Sequence, residues 1–254
     1  MSNPILDVNC LCKTFIVNKY STNVLQNINF SMDENEFVTV MGPSGSGKST
    51  LLYCISGMDQ ITAGSVKIDG VDISQMKEKE INDFRLKKMG FVFQQMYMLK
   101  KLSIMDNILL PGFEAKLMSR NEVIKYGQDL MRRLNIIDIA DHEITEVSGG
   151  QLQRACICRA LINNPKIIFA DEPTGSLNSK ASEEVIKELL KSNEKGTAIL
   201  TVTHSQKVAA VSERVVYLVD GTIKGELMLG KIKDYQELNS RERKINNWLD
   251  EMGW

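Results

Sequence analysis

The chain has 254 residues, 43% of them hydrophobic and 25% charged, so it can bury a substantial core in one large domain or two closely packed ones. Its formal net charge of −1 argues against a protein held to nucleic acid or to an anionic membrane by overall charge. Five cysteines, an odd number in a chain this large, favour a reducing cytoplasm. No secretory signal and no membrane span is expected, so any membrane role needs a separate partner.

Alternating polar and apolar residues near the N-terminus predict a small antiparallel sheet. The segments "ILDVNCLCKTF" and "VLQNINFSM" alternate, and "GSVKIDG" is bounded by glycines that are typical of turns. We expect these strands to form a separate, smaller sheet beside the main core.

The first strand of the main core is predicted at residues 36–41, and it leads into "MGPSGSGKSTLL". This stretch matches the phosphate-loop pattern G-x-x-x-x-G-K-[ST] at Gly42, Gly47, Lys48 and Ser49, between a predicted strand and a predicted helix. Glycines let successive backbone N–H groups converge on phosphate oxygens, and the helix N-terminus adds favourable potential. Lys48 would hold the β- and γ-phosphates, and Ser49 would ligate Mg²⁺.

The middle of the chain, about residues 96–165, predicts a helical subdomain inserted in the α/β core. Ser119 and Glu122 stand at capping-box spacing. The residues that follow place one apolar stripe along a helix: Val123, Gly127, Leu130, Met131 and Leu134. A second helix is predicted from Gly149 to a stop before Pro165.

That second helix opens with "VSGGQLQR", which has the character of another anion site. Ser148, Gly149, Gly150 and Gln151 would expose backbone N–H groups at the start of the helix. One chain does not easily need two such sites for one triphosphate, whereas two chains can share them.

Two acidic residues follow the next predicted strand, "KIIFAD" at residues 166–171. Asp171 falls at the carboxyl end of this strand, where open α/β sheets bind ligands, and it would hold the metal. Glu172 would face the γ-phosphate as the base that activates water. Such a pair can be purely structural, but beside a phosphate loop we interpret it as catalytic.

The last third of the chain predicts a helix, two strands and a tail. The helix covers about residues 179–196 and ends at Gly196, and near-continuous apolar runs at 197–204 and 214–221 predict parallel strands buried on both faces. From about residue 230 the chain is charge-rich until an apolar helical stripe: Ile245, Trp248, Leu249 and Met252. We expect this stripe to dock on its own domain.

In these motifs the sequence resembles the ATP-binding subunits of ABC transporters, over nearly the whole chain to about residue 228. Five motifs occur in the family's order: the phosphate loop at 42–50, the glutamine loop at Gln94, the signature at 148–151, the acidic strand end at Asp171 and Glu172, and the switch histidine at His204. The resemblance implies an α/β fold of the P-loop NTPase class, an ABC-type ATPase with a RecA-like core, an N-terminal antiparallel β subdomain and the inserted helical subdomain. It gives an ATP-binding domain at 1–229 and a tail helix at 230–254.

The resemblance also implies a head-to-tail dimer in which each ATP lies between the phosphate loop of one subunit and the signature of the other. The expected catalytic residues are Glu172, His204 and Gln94, and the expected Mg²⁺ ligands are Ser49, Gln94 and Asp171. Phe15 would stack on adenine, and further ATP contacts are expected from Gly42, Ser44, Gly45, Ser46, Gly47, Lys48, Ser49, Thr50, Ser148, Gly149, Gly150 and Gln151. His142 has no such role and is expected at the surface.

Three positions depart from the family pattern. Val147 stands where leucine is usual at the signature, and Phe15 replaces the commoner tyrosine, which keeps the stacking ring. Asn178 occupies a position usually held by aspartate in the segment that crosses the dimer interface. We hypothesise that hydrolysis persists while coupling between the two sites is altered.

The residues of several motifs resemble those of one subgroup, which contains macrolide exporters, lipoprotein-releasing ATPases and peptide-antibiotic resistance transporters. The tail looks most like the bacitracin and lantibiotic branch of this subgroup. The resemblance implies an FtsX-like permease as partner, a groove at about 96–113 that receives it, and a place at the cytoplasmic face of the membrane. The alternative is a non-transporting mechanical ATPase of the cell-division type. Chromosome and DNA-repair relatives need long coiled-coil arms, which this chain lacks, so no nucleic acid is expected.

Overall fold

The computed structural model describes residues 4–18, 20–175 and 177–254, without the side chain of Val17. In these ranges an antiparallel sheet has the strand order β2-β1-β4-β5, with β1 (Leu6–Val17), β2 (Tyr20–Met32), β4 (Ala63–Ile68) and β5 (Val71–Asp72). The register of β1 against β2 shifts after Val8, and Cys10 there has a φ of 49°. The small antiparallel sheet predicted from the N-terminal alternation is confirmed.

A six-stranded sheet forms the main core, in the order β10-β9-β3-β8-β7-β6. Its strands are β3 (Phe37–Met41), β6 (Met89–Val92), β7 (Ile167–Asp171), β8 (Ala198–Val202), β9 (Arg214–Val219) and β10 (Thr222–Met228). All neighbours are parallel except β10, which is antiparallel to β9. The carboxyl ends of β3, β6, β7 and β8 therefore meet at one edge of the sheet, and each predicted motif except the signature follows one of them.

Helices cover both faces of this sheet, as the near-continuous apolar strands predict. They are α1 (Lys48–Ile55), α2 (Glu78–Lys88), α3 (Ile104–Ala115), α4 (Arg120–Arg133), α5 (Gly149–Leu161), α6 (Ser179–Glu194), α7 (Gln206–Val211) and α8 (Leu238–Glu251). One core joins α1, the antiparallel sheet and one face of the main sheet, and a second joins the other face to α3, α4, α5 and α6.

The helices α3, α4 and α5 lie in the segment predicted to be helical. A capping box between Ser119 and Glu122 starts α4, as predicted. A Cβ at Gly127 would lie 2.3 Å from the Leu109 side chain, so glycine lets α3 and α4 approach closely. No helix in the described ranges is both long enough and apolar enough to cross a membrane.

The tail helix α8 packs on its own chain. Ile245 and Leu249 are buried in a third core with Met41 and Tyr217. Arg241 is also buried, and its guanidinium donates hydrogen bonds to the carbonyls of Ala210 (2.6 Å), Ser212 (2.6 Å) and Gly230 (2.8 Å). Two kinds of contact thus hold α8 in place. Its apolar side chains are buried, and its arginine lies at the C-terminal end of α7, where backbone carbonyls lack helical partners.

Candidate active site

The phosphate loop connects β3 to α1 through backbone that only glycine adopts easily. Gly45 and Gly47 have φ of 82° and 99°, in the left-handed region. A Cβ on Gly42 would lie 2.0 Å from the carbonyl oxygen of Leu218 in β9, so this position requires glycine for close approach. Nothing lies within 4 Å of a Cβ built on Gly45. The result is an open cradle that ends at the N-terminus of α1.

Lys48 lies at the base of this cradle and is only 8% exposed. Its Nζ donates hydrogen bonds to the carbonyl oxygens of Gly42 (2.8 Å) and Pro43 (2.9 Å). Burial lowers the pKa of Lys48, while the negative charges of Glu172 and Asp171 oppose that change. A triphosphate would supply the anion that a buried ammonium group favours.

Asp171 ends β7 and is held by two hydroxyl groups. Ser49 Oγ donates to its Oδ1 at 3.2 Å, and the Tyr53 hydroxyl donates to its Oδ2 at 3.1 Å. Burial, with the charge of Asp171 and the hydrogen bond to it, raises the pKa of Tyr53 to about 12. A hydroxyl and a carboxylate side by side are the hard oxygen donors that Mg²⁺ takes beside substrate phosphates, so the residues present fit this ion.

Tyr53 is a site residue that the sequence analysis missed. It stands four residues after Ser49 on α1, so the two side chains share one helical face. This spacing was the available signal, because a side chain on that face must point to the same strand end as Ser49.

Glu172 has an unusual backbone that aims its carboxylate into the site. Its φ is 47°, a left-handed conformation that costs a non-glycine residue about 1–3 kcal/mol. Oε2 accepts from Thr203 Oγ1 (2.8 Å), and Oε1 accepts from the His204 backbone N–H (2.9 Å). His204 Nε2 lies 3.8 Å from Oε1, and the imidazole is 46% exposed.

These groups surround one cleft of about 500 Å³. Most of the predicted site residues line it: Ser44, Gly45, Gly47, Lys48, Ser49, Thr50, Gln94, Asp171, Glu172 and His204. Gly42 and Ser46 belong to the same loop, and Ser46 Oγ is buried with no hydrogen-bond partner among the described residues. The loop thus offers open backbone, a buried cation and a spare hydroxyl to a phosphate chain.

The predicted signature lies on a different surface. Among the residues that the structure describes, none of Ser148, Gly149, Gly150 and Gln151 lines the cleft. Ser148 Oγ accepts from Gln151 N–H (3.3 Å) and Ser148 N–H donates to Gln151 Oε1 (2.9 Å), which caps α5. Ser148 and Gly149 are exposed. The N-terminus of α5 is therefore exposed at the surface, outside the described lining of this cleft.

Phe15, the predicted adenine platform, also lies outside the lining of this cleft. It is 40% exposed on β1, and Lys13 Nζ lies 4.6 Å from the centre of its ring. Lys13 is itself held by Asp59 (2.7 Å) and by the Gln60 carbonyl (2.6 Å). His142 is exposed, as expected.

A second cleft, of about 460 Å³, lies between α2, β6 and α5. We call it the aromatic groove; its lining includes Arg85, Phe91, Phe93, Tyr97, Pro111 and Arg159. Tyr97 is 63% exposed and packs edge-on against Phe93, with ring centres 5.4 Å apart. Of the predicted segment 96–113, Tyr97 and Pro111 line the groove, and the cations in the described lining are Arg85 and Arg159.

Comparison with known proteins places these features in context. The sequence model of a family described as "ABC transporter" matches residues 25–175. The chain is 41% identical over 222 residues to the lipoprotein-releasing system ATP-binding protein LolD of Leptospira interrogans, covering 87% of this chain and 91% of that one. It is 40% identical over 227 residues to the bacitracin export ATP-binding protein BceA of Halalkalibacterium halodurans, covering 89% of each.

A solved structure is also similar. It is the ATP-binding cassette MJ0796 of Methanocaldococcus jannaschii, in a dimeric post-hydrolysis state bound to ADP and Pi. The TM-score is 0.85 at 38% sequence identity, over 89% of this chain and 100% of that one. The predicted fold class is thereby confirmed for the described residues.

Proposed function

Because this chain belongs to the ABC transporter family of ATP-binding proteins, we propose that it binds MgATP in the cleft and hydrolyses it as one half of a head-to-tail dimer. One observation carries the proposal: Lys48, Asp171 and Glu172 line a single cleft next to an open phosphate cradle. The same cleft lacks any contribution from the signature residues among those described, and a second copy would provide them.

The main polar groups of the cleft have separate roles in this reaction. The backbone N–H groups of the loop and Lys48 would bind the β- and γ-phosphates, and Ser49, Asp171 and Gln94 would hold Mg²⁺. When bound, Mg²⁺ supplies positive charge to the phosphate oxygens. Glu172 accepts a proton from the water that attacks in line, and His204 contacts the γ-phosphate. Phe15 stacks on adenine from the neighbouring sheet.

A glutamine substitution tests the role of Glu172. Glu172→Gln keeps the shape of the side chain and removes its basicity, so we expect ATP binding to persist and turnover to fall about a hundredfold or more. In the presence of ATP a closed dimer would then accumulate, and light scattering coupled to gel filtration would detect it. Glu34→Gln, an exposed change in the turn before β3, is the matched control. Full turnover in Glu172→Gln would refute its role as base.

We further propose that the closing and opening of this dimer drives a membrane permease of the FtsX-like type, which holds the protein at the cytoplasmic face of the membrane. The names of the relatives, which refer to lipoprotein release and bacitracin export, support a role in antimicrobial-peptide resistance or in lipoprotein export. Macrolide export is the third activity of the subgroup that the sequence resembles. We favour peptide-antibiotic resistance, and a mechanical cell-division ATPase is the alternative.

We propose that the permease binds in the aromatic groove. Its floor is aromatic, with Phe91 and Phe93 stacked at 5.8 Å, and its cations are Arg85 and Arg159. Arg159 donates to the carbonyls of Met96 (2.7 Å) and Tyr97 (2.8 Å), which fixes the segment after Gln94. A short helix with apolar side chains and at least one carboxylate would complement this surface.

Co-purification tests the partner. We expect Tyr97→Ala to reduce recovery of a co-expressed FtsX-like permease at least tenfold, while ATP binding persists, because Tyr97 is an exposed aromatic anchor. Lys100→Ala, at an exposed position outside the groove lining, is the control.

Deleting the permease gene should sensitise cells to bacitracin or lantibiotics. A block in division without sensitisation would favour the mechanical alternative.

A further inference from the structure

The end of α8 turns back toward the nucleotide cleft. Gly253 has a φ of 83°, and Trp254 N–H donates to the Leu249 carbonyl (3.0 Å) while Gly253 N–H donates to that of Asp250 (3.2 Å). These two bonds form a Schellman motif, which reverses the chain after a helix. Trp254 consequently reaches His204, with ring centres 6.2 Å apart and planes at 64°.

The indole ring of Trp254 packs against a buried tyrosine. Its ring centre is 5.7 Å from that of Tyr217, and Tyr217 is only 2% exposed. Tyr217 in turn packs edge-on against Trp248 of α8, at 6.2 Å. In the sheet, Tyr217 pairs with Met41, the residue that precedes the phosphate loop. Trp254, which contacts His204, is therefore supported by a residue that pairs with β3, the strand that leads into the phosphate loop.

His204 has few other restraints. Its backbone N–H is tied to Glu172, but Nε2 lies 3.8 Å from the Glu172 carboxylate, which is beyond hydrogen-bond distance. The imidazole is nearly half exposed, so without a packing partner it would sample several rotamers. The edge-to-face arrangement with Trp254 is a favourable geometry for two aromatic rings.

From these contacts we propose that Trp254 is a positioning residue for His204, through which the tail helix holds the imidazole at the edge of the cleft. The inference rests on the proposed function, since it concerns the histidine assigned to the γ-phosphate. It gives the tail a role in hydrolysis: α8 restrains a group of the active site from outside the described lining of the cleft.

Proton NMR tests the contact without any use of ATPase activity. The chain has 2 histidines, His142 and His204, so its imidazole spectrum is simple and His142→Gln assigns it. In Trp254→Ala we expect the His204 ring signals to shift, because the ring current of the indole is lost, and the His142 signals to stay. Unmoved His204 signals would overturn the proposal even if the ATPase proposal stands.

Kinetics then test the consequence. We expect Trp254→Ala to lower kcat about two- to tenfold, the size of one aromatic pair, with KM for ATP nearly unchanged. Trp254→Phe should restore most of kcat because it keeps an aromatic ring. Asn247→Ala, an exposed change on α8, is the control, and thermal melting verifies that each variant is folded. An unchanged kcat in Trp254→Ala, or no rescue by phenylalanine, would overturn the positioning role.

Discussion

At the scale of single residues, Asp171 shows how the chain positions the carboxylate that we propose binds the metal. Ser49 and Tyr53 each hold one of its oxygens, and both come from α1. Ser49 is also the hydroxyl expected to ligate Mg²⁺, through an oxygen lone pair. Tyr53 has no such second role, so its hydrogen bond serves only to orient the carboxylate.

Tyr53→Phe isolates this hydrogen bond, since it keeps the ring that packs near Phe93 at 6.4 Å. We expect ATP binding in EDTA to be unchanged and the Mg²⁺ concentration for half-maximal ATPase to rise about three- to tenfold, the worth of one hydrogen bond. Tyr126→Phe is the matched control, because its hydroxyl bonds Asn164 at 2.7 Å in another part of the fold. An unaltered Mg²⁺ requirement would contradict the orienting role.

The sequence could identify Lys48 and Asp171 because each stands at a fixed offset from a strand end. The spacing of Tyr53 from Ser49 puts both side chains on one helical face, but this spacing alone does not show that the Tyr53 hydroxyl meets Asp171, which is 118 positions away along the chain. Trp254 was missed as a neighbour of His204 for the same reason. A contact between distant segments depends on the packing of whole elements, and local pattern does not encode it.

At the scale of elements, Asn178 has a structural task that the sequence analysis did not foresee. Its Oδ1 accepts from the Ala181 N–H at 2.9 Å, so it is the N-cap of α6. Asparagine and aspartate cap helices about equally well, and aspartate adds a charge that the helix N-terminus favours. The departure from the family pattern therefore removes a charge without removing the cap.

Asn178→Asp separates the two effects. We expect the melting temperature to stay constant or rise slightly, while the ATPase rate or its cooperativity changes, because the segment expected at the dimer interface gains a negative charge. Asn178→Ala is the comparison, since it loses the cap and about 1 kcal/mol of stability. If neither rate nor cooperativity responds in Asn178→Asp, the hypothesis of altered coupling is wrong.

Elements that carry their own signals were predictable. The capping box of α4 and the apolar run of β7 lie within the segments themselves, and the structure places both where the sequence predicts them. Helix α2 was not predicted, because Ile81 is its single buried residue and it has no apolar stripe. Strand β6 was not predicted either, because its four residues form a strand by pairing with β7 and have no strand pattern of their own.

At the scale of the whole molecule, the phosphate cleft and the N-terminus of α5 lie on separate surfaces. Ser148 and Gly149 are exposed, and the described cleft lining includes neither. Two copies related by a two-fold axis would bring each cleft against the partner's α5, and an isologous interface of this kind forms two equal sites at once. Hydrolysis would then be a property of the pair.

Mixing two inactive variants tests whether the sites are shared. Lys48→Ala damages the cleft, and Ser148→Arg obstructs the signature, so each alone should lack ATPase activity. A mixed dimer contains one site built from the intact cleft of one copy and the intact signature of the other. If the copies exchange freely, an equimolar mixture should recover about a quarter of wild-type activity, because half of the dimers are mixed and each has one of two sites intact.

The control for this experiment is a mixture of Lys48→Ala with Glu172→Gln. Lys48 and Glu172 line the same cleft, so each copy in the mixed dimer brings one damaged cleft and no intact site arises. We therefore expect no recovery from this pair. Equal recovery in both mixtures would mean that the signature does not complete the partner's cleft. Recovery in the first mixture alone is the result that a site divided between two copies requires.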